Sequence, residues 1–217
     1  MATPGSVLIG LTGGIGTGKS RVADLLRALG AAVECSDLIV RELQAPGGAG
    51  LAAIVETFGR EYLTPEGELD RPKLGKLVFN DPSARGRLNL LIHPLVTRET
   101  QARVAAHRAR GVPVIVADIP LLLEGKQAGI GSGAVLPFDL IVLVYATEEQ
   151  QLERVMARDK LAREDALARI RSQLPIEQKR ALADVVIDNS GLWEAAEKQV
   201  RELYAEWVKR ARRSPRA

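Results

Sequence analysis

Eight consecutive residues near the N-terminus carry the clearest chemistry in the chain. Gly13-Gly14-Ile15-Gly16-Thr17-Gly18-Lys19-Ser20 has the spacing G-x-x-x-x-G-K-[ST]. Glycines at these positions let the backbone curl so that successive N–H groups face phosphate oxygens. A helix starting at the end of the run adds its positive N-terminal end. Lys19 brings a full charge to the β- and γ-phosphates, and Ser20 a hydroxyl suited to Mg²⁺. The alternative, a glycine-rich turn that binds nothing, sits poorly with an apolar strand entering the run and an amphipathic helix leaving it. The pattern implies a bound nucleoside triphosphate.

Other residues could act on that nucleotide. Asp37 follows a short apolar segment, at the edge where open α/β sheets bind ligands, and it also reads as a helix N-cap before Leu38 to Leu43. Asp118 ends the run Val114-Ile115-Val116-Ala117, as a Walker-B carboxylate near a metal would, or as a turn residue before Pro120. Arg154, Arg158 and Arg163 lie in an arginine-dense stretch and could neutralise a transferring phosphoryl group, or lie on a solvated helix face. His93, with no other histidine or thiol nearby, reads as a substrate contact or a structural hydrogen bond rather than a metal ligand. Cys35 reads as a packed small residue.

These residues need a scaffold that brings them together. Strands are expected at about 7–11, 32–35, 112–117, 139–145 and 183–188. Val22, Leu25, Leu26 and Leu29 mark the helix after the phosphate loop, ended by Gly30. Apolar runs alternating with helical patterns predict an α/β domain with a parallel sheet and crossover helices. From Asp37 to Arg110 no strand is convincing. Breaks fall at Pro46-Gly47-Gly48, Thr64-Pro65-Glu66-Gly67 and Asp81-Pro82, with Asp70 and Asp81 as N-caps, which predicts a helical insertion. Gly125 to Pro137 is expected to be a mobile glycine-rich loop. Thr147 with Gln150 forms a capping-box pattern. Leu192, Ala196, Val200, Leu203 and Trp207 predict one buried face of a last helix.

Composition excludes several classes. One cysteine in 217 residues allows no internal disulfide and no Cys-rich zinc site. Aromatics are 4%, too few for base-stacking surfaces. The isoelectric point near 9.2 comes from the tail, where Lys209, Arg210, Arg212, Arg213 and Arg216 carry more than the whole net charge of +3. That end reads first as a solvated helix terminus, which points away from nucleic acid. The uncharged first 18 residues include six glycines and no basic segment, so neither a signal peptide nor a membrane span is expected, and a cytoplasmic protein is. No asparagine precedes a lysine, so an N-K-x-D guanine reader is absent, and the lone D-x-x-G, Asp188 to Gly191, follows the last strand. A small-molecule kinase fits better than a switch GTPase.

Several segments resemble the dephospho-CoA kinase family in order along nearly the whole chain: 11–20, Asp37-Leu38-Ile39-Val40-Arg41, Leu88-Asn89 with Ile92-His93-Pro94-Leu95, Asp118-Ile119-Pro120-Leu121-Leu122, Arg154 to Asp159, and Ala183 to Gly191. The resemblance implies transfer of phosphate from ATP to the ribose 3′-hydroxyl of dephospho-CoA, the last step of coenzyme A synthesis. It implies a P-loop fold with a parallel five-stranded sheet, a helical substrate region at about 46–110 and a helical lid at about 148–180, on a core of about 1–45, 111–147 and 181–217. It implies Lys19, Asp37 and Arg158 as catalytic. The nucleotide would be held by residues 13–20 with Arg21 and Asn189. Asp37, Arg41, His93, Asp118 and Pro120 would contact the acceptor, and Ser20 and Asp118 would hold Mg²⁺. A monomer or weak homo-oligomer is expected, with no membrane or nucleic-acid partner. The sequence departs from the family at two places, and one is the 125–137 connection, which is longer than the family's usual one. At the other, the Asp-x-Asp after the second strand is Cys35-Ser36-Asp37, and strand alternation points Glu34 away from Cys35. Another P-loop kinase, or a nucleotide-binding regulator without turnover, are the alternatives, and ADP formation stimulated by dephospho-CoA separates them.

Overall fold

The computed structural model describes residues 5–213. The first strand, β1 (Val7–Gly13), is buried along its length, as a strand covered on both faces must be. It leads into α1 (Lys19–Ala28), then β2 (Ala32–Cys35) and α2 (Ser36–Leu43). A helical segment follows: α3 (Ala49–Phe58), a 3₁₀ turn at Arg60–Tyr62, α4 (Arg71–Asn80) and α5 (Pro82–Ala109). The chain then forms β3 (Val114–Asp118), α6 (Leu122–Ala128), α7 (Gly131–Val135) and β4 (Leu140–Tyr145). Three helices, α8 (Glu148–Asp159), α9 (Arg163–Arg171) and α10 (Ile176–Leu182), precede β5 (Val185–Asp188) and the long α11 (Trp193–Arg213). Among the described residues no helix is long and apolar enough to cross a membrane.

The five strands are all parallel, in the order β2-β3-β1-β4-β5. Their C-terminal ends therefore share one edge. The register pairs Leu11 and Cys35 with Asp118, which sets the phosphate loop and the β2–α2 turn on either side of the end of β3. On one face α1 and α11 cover the sheet, with Val22, Leu26, Val200 and Trp207 packed on Ile9, Leu11, Val116 and Val144. The segment from α2 to α5 has its own apolar cluster around Ile39, Ile54, Leu74 and Ile92. Leu152, Val155, Ala166 and Ile170 form another between α8 and α9.

The caps at Asp70, Asp81 and Thr147 are where the sequence puts them. Asp70 accepts from Lys73 N at 3.0 Å, and Asp81 from Ser83 N and Ala84 N at 2.8 and 3.1 Å. Thr147 and Gln150 complete a capping box. Pro94 lies inside α5, which continues through it despite the hydrogen bond a proline cannot donate.

Three expectations need correction. Gly125 to Pro137 is not a loop. It holds the end of α6 and all of α7, packed so closely that a side chain on Gly133 would meet Leu122 O at 2.4 Å. Gly133 permits that close approach, while Gly129 (φ 68°) and Gly131 (φ 65°) make the left-handed turn between the two helices. Leu192 is 80% exposed because α11 begins one residue later, and Ala211, 1% exposed, extends the buried face beyond Trp207. The basic end is thus the exposed side of a helix whose other side is core; Arg216 lies outside the described residues. Asp37 is not an N-cap: Cys35 holds that position, and Asp37 falls in the first turn of α2.

Candidate active site

The phosphate loop is shaped by left-handed turns at Gly16 (φ 79°) and Gly18 (φ 90°) that residues with a Cβ adopt at a cost. A Cβ on Gly18 would meet Asn189 Nδ2 at 2.3 Å, and one on Gly14 would meet Gln151 Oε1 at 2.4 Å. Thr17 closes the loop on itself, its hydroxyl donating to Gly14 O at 2.8 Å. No side chain caps α1, so its first N–H groups are left to an anion. Ser20, at the start of that helix, is exposed.

Lys19 Nζ donates to Asp118 Oδ1, which joins the loop to the end of β3. Asp118 is 4% exposed, and burial raises its pKa. Lys19 opposes that shift, and the nearby charge of Asp37 adds to it. Asp37 itself is exposed and makes no hydrogen bond or ion pair among the described residues. Its carboxylate is therefore available to a ligand.

Asp37 also stands on the wall of a cavity of about 470 Å³ between α2, α5 and the α6–α7 pair. His93, Pro120, Ser132 and Glu124 line it as well. Burial pushes the His93 imidazole below its ordinary pKa. Pro120 O accepts from Thr12 Oγ1 at 3.0 Å, which ties the cavity wall to β1. Arg41 is exposed near the end of α2 and is not part of the wall.

The arginines divide. Arg154 donates to Gly16 O at 3.3 Å and Asn189 O at 3.0 Å, bridging the phosphate loop and the turn after β5. Arg158, whose side chain is 60% exposed, forms a two-point pair with Asp159 on the outside of α8. Arg163 reaches Glu149 at 3.6 Å. Asn189 donates its side-chain amide to Thr17 O at 2.8 Å, so it supports the loop instead of offering that N–H to a base. Arg21 lies over the Trp193 ring, 3.9 Å from its centroid. Glu34 turns away from the site and accepts from Arg103 at 3.3 Å, with His107 at 2.5 Å, as alternation requires.

Four side chains at the site had no signal in spacing. Gln173 Oε1 accepts from Ile15 N at 3.0 Å. Gln151 is buried against Gly14 and donates to Ala146 O at 3.0 Å. Lys179 is fully buried and pairs with Glu124 at 2.8 Å. Burial pulls the Lys179 pKa down, and Glu124 counters it.

Residues 7–194 match the family model described as dephospho-CoA kinase. A dephospho-CoA kinase of Carboxydothermus hydrogenoformans is 43% identical over 200 residues, covering 92% of this chain and 94% of that one. One from Arabidopsis thaliana is 41% identical, over 92% of this chain and 83% of that protein. A crystal structure of a Thermus thermophilus protein superposes with a TM-score of 0.74 at 35% identity, covering 93% of this chain and 98% of that one. A Campylobacter jejuni dephospho-CoA kinase gives 0.68 at 26% identity, with 93% and 97% covered. Family match, identity and shared architecture agree, and the chain belongs to the dephospho-CoA kinases, which use ATP to phosphorylate dephospho-CoA in the last step of coenzyme A synthesis.

Proposed function

We propose that ATP lies along the phosphate loop, that dephospho-CoA occupies the cavity between α2, α5 and α6–α7, and that Asp37 activates the acceptor. The ribose 3′-oxygen attacks the γ-phosphorus as its proton passes to Asp37. The new O–P bond forms while the bond to the β-phosphate oxygen breaks, and ADP leaves. The observation carrying this reading is Asp37 itself. It is an unpaired, exposed carboxylate on the cavity wall, close enough to Asp118 to affect its ionisation. Lys19 and the loop N–H groups stabilise charge on the transferring group.

Ser20 and Asp118 suit Mg²⁺: both are oxygen donors, one at the start of α1 and one at the end of β3. An ion there would be held largely by phosphates and water, with these two side chains completing its oxygen ligands. Bound there, Mg²⁺ would supply Lewis-acid polarisation of the phosphates. In this reading residues 46–110 form the substrate region and 148–180 the lid, with Arg154 the lid cation nearest the loop. A cytoplasmic monomer or weak homo-oligomer fits an ATP-using chain with one cysteine and a near-neutral body.

The test is ADP release from the purified protein with ATP and Mg²⁺. Addition of dephospho-CoA should stimulate it, and Asp37→Asn should remove the stimulation while leaving ATP binding intact. Equal stimulation in Asp37→Asn would overturn the assignment of Asp37.

A further inference from the structure

The first turn of α2 carries Asp37, yet no partner of its own fixes the carboxylate. It has no hydrogen bond or ion pair among the described residues, and Cys35, at the N-cap of α2, gives no side-chain cap. The place of the carboxylate therefore follows from the place of α2. One residue of that eight-residue helix is fully enclosed, Ile39, which packs with Ile54 and Ile92. A helix held at one point can pivot about it. A second anchor, on the far side of Ile39 from Asp37, stops the pivot.

Arg103 of α5 supplies such an anchor. Its three guanidinium nitrogens go to three different glutamates. Nη1 donates to Glu34 Oε2 at 3.3 Å, Nη2 to Glu42 Oε2, and Nε to Glu99 Oε1 at 2.8 Å. Glu34 is next to last in β2, and His107 Nε2 lies 2.5 Å from its other oxygen. Glu42 is in the last turn of α2, three residues past Ile39. Glu99 belongs to the same helix as Arg103. One side chain thus ties both elements that flank the β2–α2 turn to α5. Ion pairs that reach solvent contribute little to stability, so stability alone does not account for three of them on one arginine. We infer that Arg103 is a positioning residue for phosphoryl transfer: by bridging Glu34 and Glu42 it sets α2 against the end of β2, and so holds Asp37 where the acceptor hydroxyl is deprotonated. The inference rests on Asp37 being the acceptor base.

Glu42 and Glu99 provide the test, because they share the arginine and differ in where they lead. Both side chains reach solvent, and alanine preserves helix propensity at either position. Glu42→Ala cuts the link to α2. It should lower kcat for dephospho-CoA about tenfold, since misplacing a reacting group by about 1 Å can cost about 10² in rate. The KM for ATP and the melting temperature should stay near wild type. Glu99→Ala removes a pair within α5 and should leave kcat within about twofold of wild type. Arg103→Lys keeps the charge but lacks the fork that joins glutamates on two elements, so kcat should fall as in Glu42→Ala. Equal kcat in Glu42→Ala and Glu99→Ala overturns the inference, and so does wild-type turnover in Arg103→Lys. A loss of kcat in Glu42→Ala that comes with a lower melting temperature and a raised KM for ATP marks a structural role and overturns it as well. Asp37→Asn in the same assay checks the underlying reading. If that variant turns over normally, Asp37 is not the base and both assignments fall. If it loses turnover while Glu42→Ala and Glu99→Ala match each other, only the role of Arg103 falls.

Discussion

The two halves of the proposed site are built in opposite ways. The nucleotide half is eight consecutive residues whose backbone supplies the recognition, supported by Asn189, Arg154 and Gln173 bonded to Thr17 O, Gly16 O and Ile15 N. The cavity proposed for the acceptor has no contiguous motif. Its wall is collected from α2, α5 and α6–α7, with residues from Ser36 to Gly133. A phosphate can be read by N–H groups at one helix terminus, so its site can be local. A large acceptor needs a cavity, and a cavity needs separate elements packed around a space. Changes in the first half should therefore affect ATP with any acceptor, and changes in the second should be felt by the acceptor alone.

Asp37 stands where the halves meet, and its loss should have the largest effect. Asp37→Asn should lower kcat by about 10² to 10⁴, with ATP affinity retained. Because Asp37 caps nothing and contacts no described side chain through a hydrogen bond, its melting temperature should match wild type. A variant that turns over normally would move attention to Asp118. Lys19→Ala should reduce turnover by about 10² to 10³ with every acceptor tested. A defect confined to dephospho-CoA would break the division between the halves.

The third comparison lies within the nucleotide half. Arg154→Ala frees two backbone carbonyls at the loop and should weaken ATP binding by about tenfold, as loss of one or two charge-assisted hydrogen bonds does. Arg158→Ala should leave ATP affinity and melting temperature nearly unchanged, because its partner Asp159 is at the surface. If Arg158→Ala instead lowers kcat alone, the arginine reaches the phosphates on lid closure, and the sequence-level preference for it stands.

The smallest effect is in pH dependence. Burial raises the Asp118 pKa in the folded protein above the ordinary 3.8. Between those two values the folded state holds more protons than the unfolded one, so this group's contribution to stability falls as pH rises. Urea midpoints of the wild type and Asp118→Asn, compared from pH 4 upward, should show that the wild type loses stability relative to the variant. A constant difference would mean that Lys19 fully offsets the burial.

The phosphate loop, the caps at Asp70, Asp81 and Thr147, and the alternation of strands with helices were legible because each is determined by neighbours in sequence. The segments resembling dephospho-CoA kinases pointed to Asp37 and Asp118 for the same reason, as they sit at strand ends that apolar runs announce. The sequence by itself thus determined the parallel sheet, the phosphate-loop motif and the family, with its reaction. Only the tertiary structure decided that 125–137 is a helical cavity wall, that Asn189 supports the loop, that Arg154 rather than Arg158 lies against it, and that Lys179 is enclosed with Glu124. Each depends on contacts across many residues, 35 between Arg154 and Asn189 and 138 between Arg154 and Gly16. Local periodicity has no term for such contacts, because burial of a charge depends on what packs over it.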